Sequence, residues 1–291
     1  MDKRRKIGMA CALGACLCWM TGSFAVAQEV KELLILHTND THSRIEPLDE
    51  DAQPAEYAGK GGYARRAAFV GMMRKEHPDL LLLDCGDYSQ GTPYYNMFRG
   101  EVEIRLMNQM GYDAATIGNH EFDFGLENMA RLFRMADFPV VCANYDFTGT
   151  PLEHLVKPYT VLQRNGLRIG IFGLSPVLEG LVQASNCEGV RYNDPVATAN
   201  AVASLLKGKE HCDLVVCLSH LGWQPLPNNP MCDEYLIAHT RHIDVVLGGH
   251  SHSYFEQPVY YENLDGEEVP LQQMGKNGVF VGVMSLEFEK E

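Results

Sequence analysis

Along this chain, short runs that are apolar at every position alternate with longer stretches that read as helices. Leu33-Leu34-Ile35-Leu36 predicts a first strand and Leu80-Leu81-Leu82-Leu83 a second, with a helix over 62–77 between them. Helical segments follow near 93–110 and over 125–136, on either side of a short strand at Ala114-Ala115-Thr116-Ile117. Residues 140–143, 168–174, 214–218 and 245–247 predict further strands, with helices near 194–207 and 233–241 separating the last three. Residues 279–288 predict one or two antiparallel strands. A strand apolar throughout is covered on both faces, whereas a half-wet strand alternates. Such strands, joined by helices, predict an α/β or layered α+β architecture. Residues 46–60 read as an acidic loop, and 224–232, with three prolines, as a surface loop. Nothing divides 28–291, which is expected to be one domain.

Residues 1–27 read as an address. Asp2 to Lys6 make a charged start, residues 7–27 carry no charge, and Ala25-Val26-Ala27 fits the small-x-small rule before a cleaved bond. The expected product is exported, periplasmic or secreted. Two alternatives stay open. One is an uncleaved membrane anchor; the other is a lipoprotein signal, in which Leu13-Gly14-Ala15-Cys16 is the box and Cys16 carries the lipid. The apolar run continues past Cys16, which favours the export signal. No later segment reaches spanning length, so no transmembrane segment is expected in the mature chain. Export permits disulfides among Cys85, Cys142, Cys187, Cys212, Cys217 and Cys232, but no spacing selects a pairing. Cys142 and Cys217 lie inside apolar runs and read as buried thiols.

Charge narrows the chemistry. The formal net charge is −14, from 24 basic and 38 acidic residues. That field repels a phosphate backbone, so a nucleic-acid duplex is not an expected partner. A protein of this charge acting on phosphate esters needs a local reversal of field, and bound metal ions supply one.

The strand ends carry the candidate chemistry. The first strand runs into His37-Thr38-Asn39-Asp40-Thr41-His42, the second into Asp84-Cys85-Gly86-Asp87 and the third into Gly118-Asn119-His120-Glu121. The strand at 214–218 ends in Ser219-His220, and that at 245–247 in Gly248-Gly249-His250-Ser251-His252. Each alone reads as a turn, a cap or a surface histidine. Asn39-Asp40-Thr41 matches a glycosylation sequon, set aside as a chance match within this denser pattern. Five strands delivering Asp, Asn or His to the ligand-binding edge of a sheet point to one site. Carboxylate, imidazole and amide donors without thiolate suit zinc, manganese, iron or similar divalent ions. Their wide separation excludes a compact zinc finger. A metal pair about 3.5–4 Å apart needs one bridging carboxylate and several terminal ligands.

Through Thr38-Asn-Asp-Thr-His42, Gly86-Asp87, Gly118-Asn-His-Glu-Phe-Asp-Phe-Gly125, Ser219-His220 and Gly248-Gly-His-Ser-His252, the sequence resembles the calcineurin-like metallophosphatases. More closely, it resembles the N-terminal catalytic domain of the exported 5'-nucleotidase family, which includes UDP-sugar hydrolases and 2',3'-cyclic phosphodiesterases. Gly61-Gly62-Tyr63-Ala64-Arg65 also fits. The resemblance implies an α+β fold, a four-layer α/β/β/α sandwich of two packed mixed sheets with helices outside. It implies two divalent ions, zinc, manganese or similar. One would be held by Asp40, His42, Asp87 and His252, the other by Asp87, Asn119, His220 and His250, with Asp87 bridging. His120 and Asp123 match the family's catalytic dyad, and the implied reaction is attack of a metal-activated water on a phosphate ester, a nucleotide above all. In nucleotidases of this family a C-terminal domain holds the base. The sequence ends at Glu291, so three expectations stand: a separately encoded domain supplies that function, the substrate is small or loosely specified, or the chain acts on another ester. A thiosulfohydrolase-like sulfur-ester hydrolase and a non-catalytic binding subunit with a vestigial metal site are the alternatives.

The residues support these roles on physical grounds. His120 follows Asn119 directly and, as a cation, could stabilise charge on a transferring phosphoryl group. Asp123 lies where it could hold the other ring nitrogen, cap the helix over 125–136, or both. Glu121 and His37 read as supports for the site, and His239 and His242 as solvent-facing.

Overall fold

The structure, a computed structural model, describes residues 30–225 and 231–289. The segment expected to be an export signal, with Cys16, and part of the proline-rich loop lie outside the described residues. The first part of the chain forms β1 (Val30–Thr38), β2 (Leu81–Asp84), β3 (Ala114–Ala115), β4 (Val140–Val141), β5 (Tyr145–Asp146) and β6 (Val156–Lys157). The second forms β7 (Tyr159–Arg164), β8 (Leu167–Leu174), β9 (Arg191–Tyr192), β10 (Leu214–Ser219), β11 (Val245–Leu247), β12 (Val259–Glu262), β13 (Glu268–Gln272) and β14 (Gly282–Glu289). The helices are α1 (Tyr63–Glu76), α2 (Pro93–Phe98), α3 (Glu101–Met110), α4 (Gly125–Phe133), α5 (Pro195–Gly208) and α6 (Asp233–Ala238).

Two six-stranded sheets result, ordered β14-β1-β2-β3-β4-β6 and β12-β13-β11-β10-β8-β7. Both are mixed: β14 runs antiparallel to β1, and β12 and β7 antiparallel to their neighbours, around parallel centres. The apolar layers explain why the strands read as continuous hydrophobic runs. Leu33, Ile35, Leu81 and Leu83 of the first sheet meet Ile169, Ile171, Val216 and Leu218 of the second in a central layer. The intervening positions point outward. Leu36 and Leu82 pack under Val70, Ile104 and Met129 of the first helical layer. Phe172, Val215 and Cys217 pack under Ala203, Leu206 and Leu236 of the second. Each fully buried aliphatic side chain contributes about 1.5–3 kcal/mol, and here both faces of the strands contribute. The architecture is the expected α/β/β/α sandwich.

Several boundaries differ from expectation. The helical segments expected near 93–110 are two helices, parted where Arg99 and Gly100 take left-handed φ of 53° and 90°. α4 and α6 end three residues early. The last segment is a single strand, β14, antiparallel to β1, within the one or two expected. Of the six cysteines among the described residues, all unpaired thiols, only Cys187 is not buried; Cys142 and Cys217 are buried as expected. No helix among the described residues is long and apolar enough to cross a membrane.

His37 lies in the central layer, where the sheets meet. Its Nε2 pairs with Gln272 Oε1 at 3.1 Å, and the absence of a Cβ on Gly282 makes room for the ring. Its role is therefore to bridge the two sheets. Burial pushes its pKa from 6.5 down to about 4, against the pull of Gln272. Above pH 6.5 the ring is neutral whether folded or not. As pH falls towards 4, the unfolded chain takes up the proton first and stability is lost. Between about pH 7.5 and pH 5 the chelated wild-type protein should lose about 2 kcal/mol more than His37→Gln. Urea titrations at the two pH values check this; parallel losses would remove His37 as the cause.

Candidate metal centre

The packed sheets bring the loops after β1, β2, β3, β10 and β11 to one place. The first two loops are zipped by backbone bonds from Asp40 N to Gly86 O, His42 N to Asp87 O, and Ser43 N to Tyr88 O, at 2.9–3.0 Å. Asn39 Nδ2 donates to Asp40 Oδ2 at 2.7 Å and to Gly275 O at 2.8 Å. The backbone N–H of His250 donates to Asp40 Oδ2 at 3.0 Å, tying the last loop to the first. Asn39, doubly bonded and buried, is no glycosylation acceptor.

Two groups of side chains converge within this frame. Asp40, His42 and His252 form one, and Asp87, His220 and His250 the other; within each, the potential ligand atoms lie within 4.8 Å of one another. Asp40 Oδ1 is 3.7 Å from His42 Nε2 and 3.3 Å from His252 Nε2. Asp87 Oδ2 is 3.0 Å from His220 Nε2 and 3.6 Å from His42 Nε2, so this carboxylate faces both groups. His42 Nε2, His220 Nε2 and Asn119 Oδ1 are buried without a hydrogen-bond partner; the close His220–Asp87 approach is not aligned as a bond. Native proteins rarely leave such atoms unmet. Unmet imidazole nitrogens facing buried carboxylates, with an unmet amide oxygen on the neighbouring loop and no thiolate, fit a pair of divalent cations.

The backbone is held in an unusual shape to achieve this. Asp40, His42, Asp87, His250 and His252 have φ of 48°, 45°, 54°, 70° and 55°. Left-handed backbone costs a residue with a side chain roughly 1–2 kcal/mol and persists only where surrounding bonds enforce it. Close packing also demands two glycines. A Cβ on Gly118 would sit 2.1 Å from Asp87 Oδ1, and one on Gly249 would crowd His220, Cys85 O and Asp40. The pair before His250 is thus more than a tight turn.

Electrostatics favour the ligand-competent forms of Asp87 and His250, while His220 is held protonated by the facing carboxylates until a cation takes the proton's place. Burial alone would push Asp87 up, yet His220, His42 and His120 hold it well below the ordinary carboxylate range. Burial pulls His220 down, but Asp87 and Asp40 outweigh it and raise its pKa. His250 falls from 6.5 to about 4 through burial and the field of His220, which keeps its imidazole neutral. His220 Nδ1 lies 2.6 Å from Cys85 O; a carbonyl only accepts, so Nδ1 donates and Nε2 is left for a ligand.

His120 stands beside these groups, its ring 5.7 Å from that of His42. Its Nδ1 meets Asp123 Oδ2 at 3.2 Å and Oδ1 at 3.3 Å. Burial lowers its pKa, but the bond to Asp123 and the charges of Asp87, Asp123 and Glu121 prevail and raise it. The helix-cap role considered for Asp123 is not taken: the N-cap of α4 is Phe124, and it makes no side-chain cap bond. Glu121 is a staple. Its carboxylate accepts from Asp87 N at 3.0 Å, Ser89 N at 3.2 Å and Gly118 N at 2.6 Å, binding the second loop to the third. His239 and His242 are exposed, as expected. The bonds of Asn39 and of Gln273 have no signature along the chain. Asn39 lies inside one of the motifs, and Gln273 follows a strand that the hydrophobic pattern does not reveal.

The chain belongs to the calcineurin-like phosphoesterase family, whose model matches residues 33–254. Within it, the similarity is to 5'-nucleotidases. The human (Homo sapiens) 5'-nucleotidase is 31% identical over 298 residues, covering 96% of this chain and 49% of that protein. A 5'-nucleotidase precursor from Thermus thermophilus superposes with a TM-score of 0.79 at 32% identity, over 87% of this chain and 51% of that one. The calcineurin-like phosphoesterase YfkN from Bacillus subtilis superposes with a TM-score of 0.73 at 28% identity, over 90% and 87%. The chain spans about half the length of the curated relatives it matches.

Proposed function

We propose that this chain is an exported phosphohydrolase that acts on nucleotides or related phosphate esters through two divalent ions. Asp40, His42, Asp87 and His252 would hold one ion; Asp87, Asn119, His220 and His250 the other. The observation that carries the reading is Asp87 Oδ2, within 3.0 Å of His220 in one group and 3.6 Å of His42 in the other, beside the His120–Asp123 pair. Bound ions would lower the pKa of a water and supply positive charge for the phosphate oxygens. The protein's own groups do the rest. Asp123 holds His120 by Nδ1, which keeps the imidazolium and aims Nε2 as a donor at charge gathering on the phosphoryl group. Glu121 and Asn39 fix the loops that present the ligands.

The test uses purified protein with a generic aryl phosphate and then a nucleotide panel. Manganese or zinc should restore phosphate release to chelated protein. Release that persists through exhaustive chelation, or none with any divalent ion, would refute the proposal.

A further inference from the structure

One side chain closes the loop that carries His250 and His252. Gln273 follows β13 and is fully buried. Its Oε1 accepts from the backbone N–H of Ser253 at 2.5 Å and from the hydroxyl of Ser251 at 3.1 Å. Its Nε2 donates to the carbonyl of Gly249 at 2.8 Å. Gly249 and Ser253 stand at the two ends of the segment, with His250 and His252 inside it. The two histidines serve different groups: His250 joins Asp87 and His220, while His252 joins Asp40 and His42. Both have left-handed backbone, at φ 70° and 55°. That conformation is unfavourable for an imidazole-bearing residue, so a loop released from its bonds would relax and turn both rings away.

We propose that Gln273 is a positioning residue shared by the two metal groups. Its amide holds the strained loop so that His250 and His252 are presented together, and it therefore sets the affinity of both groups at once. This rests on the dinuclear reading above. Side chains that orient a metal's ligands without touching the metal typically change affinity 10–100-fold when lost. Here a single loss acts on two sites because one amide grips both ends of the shared segment.

The experiment is a chelator-competition titration of the full chain with Co(II), read by visible absorption. Circular dichroism confirms the fold and the protein starts metal-free. Gln273→Leu keeps the bulk and removes all three bonds. Both successive association constants should fall about 10–100-fold, with the Co(II) bands of both sites shifted. Wild-type constants in the folded variant, or a loss confined to one constant, would overturn the shared role. Should Gln273→Leu not fold, Ser251→Ala at its exposed position removes one of the three bonds, along with that hydroxyl's contacts to Trp223 N and Ser253 Oγ. Ser253→Ala loses only the contact between the two hydroxyls and is the reference. Against it, Ser251→Ala should lower both constants about two- to tenfold, the range for one neutral hydrogen bond, and unchanged constants overturn the role equally. Wild-type protein that binds no metal defeats the dinuclear reading and this inference with it. Two ions bound by wild type and equally by the variants defeat this inference alone.

Discussion

His120→Ala is expected to keep both metal ions and lose about 10²–10³-fold in turnover, a typical loss for one donor to a transition state. The structure separates the two effects. His120 reaches Asp87 through its backbone, whose N–H donates to Asp87 Oδ1 at 2.9 Å, and alanine keeps that bond. The bond from Tyr95 to the His120 carbonyl, 3.2 Å, is also kept. Only the ring is lost, and the ring's bonded partner is Asp123, outside both candidate groups. Turnover on an aryl phosphate beside metal content per chain checks this. Turnover at the wild-type level would remove His120 from the mechanism. Asp123→Asn refines the test. Asp123 stabilises the imidazolium, so its neutral replacement lowers the His120 pKa, and the alkaline limb of the pH–rate profile should move to lower pH.

How far this was legible in the sequence follows from where each element sits. β1, β2, β8, β10 and β11 are covered on both faces, which writes an unbroken apolar run into the chain. β7 and β12 are sheet edges with half-buried or exposed residues, and β13 contains Pro270, so none carries that run. The strands β5, β6 and β9 have two residues each, too few for any period to show. The candidate metal groups were legible because parallel strands bring their C-terminal ends to one edge, so each candidate ligand follows an apolar run. What held the ligands was not legible. Glu121 gathers N–H groups from Asp87, Ser89 and Gly118, and Gln273 spans Gly249 to Ser253. Which backbone donors meet which acceptor is decided only when sheets and loops pack, and no spacing along the chain records it.

Asp87→Ala is expected to weaken metal binding at both groups, by more than about 100-fold, beyond what loss of a supporting group costs. Asp40 and Asp87 are the two carboxylates of the candidate groups, and their positions differ. Asp40 Oδ1 lies 3.3 Å and 3.7 Å from its group's histidines but 3.9 Å from His220 Nε2. Asp87 Oδ2 lies 3.0 Å from His220 Nε2 and 3.6 Å from His42 Nε2, so one carboxylate serves both sides. Removing it would withdraw a ligand and a full negative charge from both sites, at a place where water cannot take over because Asp87 is buried. Asp87→Asn keeps the size and loses the charge, and should fall between alanine and wild type. Metal content after dialysis against a fixed metal buffer is the measurement. Both variants should be inactive on phosphate esters wherever their metal content is low. Two ions retained by Asp87→Ala would show that the groups bind independently and that the carboxylate does not bridge them.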